Sequence, residues 1–374
     1  MIAISAPSNS TLGFVVASLV VAAIVLAAAE MIPDRLRTLR WGNVSMLARM
    51  RILWIALIAI ALVVALSVLG LIVGDFPIPR LDALATAIWD RGGEFDFIIN
   101  TLRFPRVTVA ILAGICLATS GAIFQALINN PLVSPDIIGI DTGAAVFAVG
   151  ILATGGDVTY LPFAAFAGAV GTAFVIYSLA WRRGVSGARL VLIGIGINAL
   201  LSAVITYITV RFPIERVIAA ARWQAGTLFG ASWSDARTLA IGLAILFPAA
   251  FLLVRRLRLL QLGDETAAGL GIRVERDRLL LIVVASGLAA TAVAVVGPLS
   301  FVALLVPHLA RLLTGPLTGG VLIVTALLGG AFLLGSDLIA QRLFAPTVLP
   351  AGIVTAALGG PYFLILLARY NRAL

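Results

Sequence analysis

One histidine, one cysteine and a few carboxylates are the only reactive side chains that this 374-residue chain places in its apolar stretches. His308 lies in Val306-Pro-His-Leu-Ala-Arg311, with no second histidine anywhere in the chain. The imidazole is therefore expected in a structural hydrogen-bonding role, since buried ring nitrogens need partners. Cys116, between Ile115 and Leu117, reads as a small buried hydrophobe and has no cysteine to pair with. Three or four soft ligands for a naked transition metal cannot be assembled from this set, so no metal site is expected, and a metal crossing here travels already chelated. His308 also lacks an evident nucleophile, so no catalytic residues are expected. All 26 basic residues are arginine, and without lysine there is no P-loop with which to hydrolyse ATP. Asp141 and Asp337 lie in apolar surroundings, where a carboxylate is costly unless paired or wet. The expected roles are a pathway wall for Asp141 and an interhelical pair for Asp337.

The densest polar stretch runs from Arg255 to Arg278 between two apolar runs and carries six of the arginines. It holds two short amphipathic pieces separated by Leu262-Gly263, too short to span a bilayer and suited to touching another protein. Gly263 frees the backbone to turn, and Asp264 and Glu265 suit the positive N-terminus of the next helix.

The elements that position these groups are set by composition. With 61% hydrophobic residues, 11% charged residues and a mean hydropathy of +1.13, the chain is expected to be an all-α polytopic membrane protein. The net charge of +9 comes from arginines clustered at the ends of apolar runs, which translocation bias explains, and nucleic-acid binding is not expected. Membrane lipid is the expected surrounding. Spanning helices are predicted at 11–31, 52–74, 105–127, 136–153, 159–181, 189–210, 236–254, 277–297, 299–314, 318–340 and 349–369. The first has no basic residue before it and Arg35, Arg37, Arg40, Arg49 and Arg51 after it, the reverse of a secretory signal. It reads as a retained helix with its N-terminus outside. Alternation from there places 17 arginines inside and nine outside, with the 255–278 segment and the C-terminus in the cytosol. This divides the chain into two regions: residues 1–51, an N-terminal helix and an Arg-rich cytosolic linker, and residues 52–374, a ten-helix domain.

Two breaks stand out. Asn129-Asn-Pro-Leu-Val-Ser-Pro-Asp136 interrupts one pair of helices and Gly297-Pro298 separates another. Irregular backbone at membrane depth survives only where it is packed in protein or lines a wet path. Small residues at helical spacing, Gly114, Ala118 and Ala122, then Gly168 and Thr172, allow close helix approach. Outside, Arg103 and Arg106 flank Pro105, which fits the first turn of a helix and holds two cations at the membrane face, where headgroup anchoring is one use for them.

The stretches Thr101-Leu-Arg-Phe-Pro-Arg106, Ala113 to Gln125 and Asn130 to Ala144 resemble the FecCD type of ABC importer permease. So do Leu262 to Gly271, Gly297 to Val302, Val306 to Arg311, Leu349 to Thr355 and Gly359-Gly-Pro361, in the same order along the chain. The finer likeness, on Ser134 to Ala144, Ile193-Gly-Ile-Gly196 and Arg258 to Glu265, is to the second permease subunit of ferric-enterobactin-type systems. That family takes up ferric siderophores, haem and vitamin B12. The resemblance implies a ten-helix core in the bacterial cytoplasmic membrane, to which the helix at 11–31 would be an addition. It implies a second permease subunit in a heterodimer, two ATP-binding subunits that hold ATP and magnesium so that this chain binds no cofactor itself, and an extracytoplasmic binding protein.

By the same resemblance, Gly263, Asp264, Glu265, Thr266, Ala267, Leu270 and Gly271 contact the ATPase. Arg103 and Arg106 meet acidic residues of the binding protein. Arg342 is a weaker third, because Asp337-Leu-Ile-Ala-Gln341 has glutamine where the family carries arginine. Asn130, Pro131 and Leu132 narrow the path near the cytosol together with Ser186 and Gly187, and for Asn130 a helix-capping role stands beside the pore-facing one. The expected function is ATP-driven inward movement of a ferric siderophore, with haem or vitamin B12 as other cargoes. An ion-gradient transporter is the alternative of another class, and it would need more intramembrane carboxylates than these helices offer.

Overall fold

In the computed structural model the apolar runs fold as helices, as a backbone in lipid must. The structure describes residues 36–41, 44–74, 76, 78–89, 92–182, 186–343, 345 and 347–370. The expected helix at 11–31 and its external N-terminus lie outside these residues. The segment read as an Arg-rich linker contains a short antiparallel hairpin, β1 (Leu36–Trp41) and β2 (Val44–Arg49), in the register Leu36 opposite Arg49 and Trp41 opposite Val44. It is the one departure from all-α architecture among the described residues.

Ten membrane segments come next, close to the predicted bounds. They are α1 (Met50–Ile72), then, after the short helix α2 (Arg80–Ile88), a π-helical stretch Phe97–Arg103 continuing into α3 (Phe104–Ile128). A single-turn helix α4 (Pro135–Ile138) leads through Gly139 into α5 (Ile140–Thr154). A 3-10 turn (Val158–Tyr160) opens α6 (Leu161–Ala180), and α7 (Gly187–Arg211) ends at a second short helix, α8 (Ile214–Gln224). Then come α9 (Trp233–Leu260), the short α10 (Asp264–Gly269), α11 (Val274–Val296), α12 (Val302–Thr314), α13 (Gly319–Arg342) and α14 (Ala351–Tyr370). Eight of the ten are long and apolar enough to cross a bilayer, and α5 and α12 are shorter. These two are the ones that abut the breaks at 129–136 and 297–298.

The hub is α3, which packs against α9, α11, α12 and α13 and is buried along most of its length. Without a hydrophobic drive between helices in lipid, such packing depends on small residues. Gly114 meets the expectation placed on it, since a Cβ there would collide with the Gly329 backbone of α13. Ala118 and Ala122 are buried on the same helix. By contrast α7 is buried along very little of its span, so most of its surface is left for lipid or another protein.

Short polar devices fix the ends. Ser232 and Asp235 form a capping box at the start of α9, and Ser186 and Thr318 cap α7 and α13, satisfying amides that no helix can pair. The segment after α8 turns back into the domain, where the Thr227 amide donates to the Val296 carbonyl at 2.9 Å and the Gly352 amide to the Gly226 carbonyl at 3.0 Å.

Candidate functional site

The helix α9 does not stop at the predicted residue 254. It runs to Leu260 and carries Arg255, Arg256 and Arg258 out with it. The first of the two short pieces expected in the polar insert is therefore the end of a 28-residue helix, because the arginines, good helix formers, continue the pattern beyond the lipid. The chain then turns at Gly263, whose φ of 99° and ψ of 153° belong to glycine alone. A Cβ there would meet no atom within 4 Å, so the requirement is conformational and not one of space.

Two arginines clamp the segment beyond this turn. Arg278 of α11 reaches Asp264 of α10 at 2.7 Å and Glu275 at 3.0 Å, and Arg256 of α9 reaches Asp277 at 2.6 Å. The Ile272 amide closes the turn onto the Ala267 carbonyl at 3.0 Å. Of the residues assigned to the ATPase contact, Gly263, Asp264, Glu265, Thr266, Leu270 and Gly271 are exposed, whereas Ala267 is fully buried. Ala267 thus faces the domain and seats α10. Leu262 and Leu270, 59% and 57% exposed, project from this held segment.

Directly behind it lies the expected gate. Asn129 ends α3 in the left-handed region with φ 54°, a conformation that asparagine tolerates. Asn130 accepts from the Leu132 amide at 2.9 Å. It therefore holds its own loop, through an Asx-type turn, where a helix cap had been one expectation. Gly187 packs on Ile128, the last residue of α3, and Ser186 caps α7 by accepting from the Arg189 amide, so the start of α7 meets the end of α3 just before the 129–132 loop. Gln261 ties the end of α9 to this region, donating to the Ala126 carbonyl at 3.1 Å. A cavity of about 450 Å³ lies here, lined among others by Asn129, Asn130, Pro131, Gln261, His308 and Arg311.

Asp141, expected at a pathway wall, lies apart from the 129–132 loop. It is 4% exposed at the start of α5 and lines a separate cavity of about 380 Å³ with Asp136, Asn198, Gln224 and Ser300. His308 departs from expectation. Its ring stands edge-on to Tyr362 with centroids 5.9 Å apart, and its buried Nδ1 has no hydrogen-bond partner. The imidazole is held by aromatic contact where a hydrogen bond had been expected.

At the opposite end of α3, Pro105 lies in the first turn as expected, but the cations beside it are turned inward. Arg106 and Asp337 form a bidentate pair, Nε to Oδ2 and Nη2 to Oδ1 both at 2.8 Å, with the aspartate 1% exposed. The interhelical role expected of Asp337 is met, and the partner is one of the arginines assigned to the binding protein. Gln341, standing where the family carries arginine, donates to the same carboxylate at 2.8 Å. Arg103 donates to the carbonyls of Leu71, Ile72 and Phe76 and so caps α1, satisfying its orphan acceptors. Arg342 lies half-buried in the last turn of α13.

Sequence reasoning did not single out the polar pairs inside the domain. Arg311 donates to the Gln125 Oε1 at 2.6 Å while the Gln125 Nε2 donates to the Leu304 carbonyl at 2.9 Å. Thr142 donates to Asn198 at 2.6 Å. The available signal was the polar residue itself within an apolar run, which marks a function or a partner by default.

The family model of the FecCD transport family matches residues 61–369. The chain is 40% identical over 323 residues to the ferric enterobactin transport system permease protein FepG of Escherichia coli, covering 86% of this chain and 98% of that one. It is 42% identical to the achromobactin transport system permease protein CbrC of Dickeya dadantii, covering 83% and 90%. Among solved structures, one described as a metal-chelate type ABC transporter in an inward-facing conformation superposes with a TM-score of 0.75 at 26% identity, over 85% of this chain and 99% of that one. The likeness spans the hub helix, the coupling segment and both breaks, and the chain belongs to the FecCD transport family.

Proposed function

We propose that this chain is the membrane-spanning subunit of an ATP-driven importer that carries a ferric siderophore inward across the bacterial cytoplasmic membrane, paired with a second permease of its own type. The single observation that carries the reading is the segment 262–271, exposed yet held by the Arg278–Asp264 pair beside an α9–α11 tie through Arg256 and Asp277, on a chain without a lysine for nucleotide hydrolysis. A rigid contact of this kind converts movement of a docked ATPase into movement of α9 and α11. Through Gln261 and α3 the same movement reaches the gate at 129–132. The iron-chelate cargo is supported by what FepG and CbrC are named for.

In this reading Arg103 and Arg342, held against the ends of α1 and α13, contribute a positive field that sets the approach of a binding protein, since such charges tune encounter rate and register. Arg106 contributes its field from a fixed position. Two ATP-binding subunits hold the ATP and magnesium.

The test is reversal of one exposed charge. Glu265→Arg is expected to abolish uptake of radiolabelled iron chelate into vesicles while the variant still copurifies with its paired permease and ATPase. Normal uptake by this variant would refute the coupling role of the segment.

A further inference from the structure

The cavity of about 450 Å³ at the end of α3 is lined by polar side chains and by no acid. Arg311, His308, Gln261 and Asn130 line it together with the exposed Leu312. The four stretches that build the cavity and its rim, 35–74, 97–135, 236–263 and 301–336, contain no aspartate or glutamate. Arg311 makes one side-chain bond, to the neutral Gln125 Oε1 at 2.6 Å, and has no carboxylate partner among the described residues. A guanidinium carries several N–H donors in a rigid fork, so most of its capacity is left over. The His308 Nδ1 in the same wall is buried with no partner. Asn130 uses its Oδ1 on the Leu132 amide, which leaves its Nδ2 to donate.

More cations stand at the rim. The start of α1 packs against this end of α12, where Ile52 joins the cluster of Ile55, Ala310 and Leu313. The Arg49 guanidinium comes within 3.4 Å of where a Cβ on Gly315, another lining residue, would stand. Arg51, beside Ile52, has its Nε buried without a partner. Translocation bias gathers arginines at one end of a membrane domain, and a cation suits the last turn of a helix. Neither explains why cations from α1 and α12 converge on a hollow that offers no counter-charge, since a charge withdrawn from water is costly until it is paired.

We infer that this cavity binds a phosphate group, held by Arg311 with Arg49 and Arg51 adding their field from the rim. The arginine fork matches phosphate oxygens two at a time, and basic pockets between membrane helices take phospholipid headgroups. The surroundings favour an anionic phospholipid as the carrier of that phosphate. Leu312, next to Arg311, is 63% exposed, and Leu53, Trp54 and Leu57 are exposed in the first two turns of α1 after Arg51, so acyl chains have apolar surface to lie on. A phosphate in this place ties the 129–131 loop to α12 and to Gln261 at the end of α9.

The experiment is equilibrium binding to the complete complex, purified with its partner subunits, delipidated in detergent and kept in phosphate-free buffer. The two probes are radiolabelled phosphatidylglycerol and radiolabelled orthophosphate, and only binding that changes with Arg311 is counted, which sets aside phosphate held by the ATPase. Phosphatidylglycerol is expected to bind at one saturable site per copy of this chain. Arg311→Gln is expected to weaken it about tenfold, the loss of one charge-assisted contact, and Arg311→Lys, which keeps the charge without the fork, to fall between the two. Arg211→Gln, which removes an exposed charge at the far end of α7, is expected to leave binding unchanged.

Orthophosphate binding that depends on Arg311, without retention of phosphatidylglycerol, would uphold the phosphate site and identify solution as its source. Binding of neither probe, or binding that Arg311→Gln leaves unmoved in an assembled complex, overturns the inference. If that variant does not assemble, Arg51→Gln takes its place in the same comparison.

Discussion

Arg106 and Asp337 are 231 residues apart, and their bidentate pair joins the start of α3 to the end of α13. With the aspartate 1% exposed, removing one partner strands a buried charge, which costs about 3–5 kcal/mol. Asp337→Ala is therefore expected to lower the melting temperature of the purified complex sharply, whereas the double change Arg106→Met with Asp337→Leu is expected to recover much of the loss. A double variant no more stable than the single one would contradict the pairing. Gly263 supplies a second test at this scale. A non-glycine residue held at its backbone angles costs about 1–3 kcal/mol, so Gly263→Val is expected to reduce transport by shifting the turn before α10, with assembly kept. Transport equal to wild type would show that the turn tolerates side chains. The sequence marked both Asp337 and Gly263. It could not name Arg106 as the partner of the aspartate, because hydropathy along a chain carries no information about which helix ends meet.

Among the elements, α10 is held by surface ion pairs, and exposed pairs contribute little to stability. Arg278→Ala, which frees both Asp264 and Glu275, is therefore expected to change the melting temperature by about 2 °C or less while lowering the ratio of iron imported to ATP hydrolysed. An unchanged ratio would remove the clamp from the coupling mechanism. Element boundaries were legible to within a few residues wherever a lipid-facing apolar run defined them, as for α1, α11 and α13. The reading was weaker where amphipathic or polar residues form helix outside the lipid. The extension of α9 to Leu260, the short helices α2 and α8 and the hairpin of β1 and β2 were all missed, since none has the long apolar signature. The π-helical stretch 97–103 was likewise invisible, because it changes hydrogen-bond register without changing composition.

For the whole molecule, the arrangement separates three regions along the helices: one end stapled by Arg106 and Asp337, an inner polar cavity around Asp141, and an opposite end where Gln261 ties α9 to the end of α3 beside the 129–132 loop. The sequence carried this order through its family-like motifs, with Asp141 expected at a pathway wall. The break at Gly139, where the backbone adopts φ 99°, turns α5 away from α4 and deepens the residue into the domain. The chain has no lysine for a P-loop, so the account stands on motion imposed from outside the chain. The most direct test is ATP-dependent uptake of radiolabelled ferric chelate into proteoliposomes holding this chain, its paired permease and its ATPase, with binding protein outside. Uptake that requires ATP inside and disappears with Glu265→Arg is the expected result. Uptake that proceeds without nucleotide down a cation gradient would contradict the account.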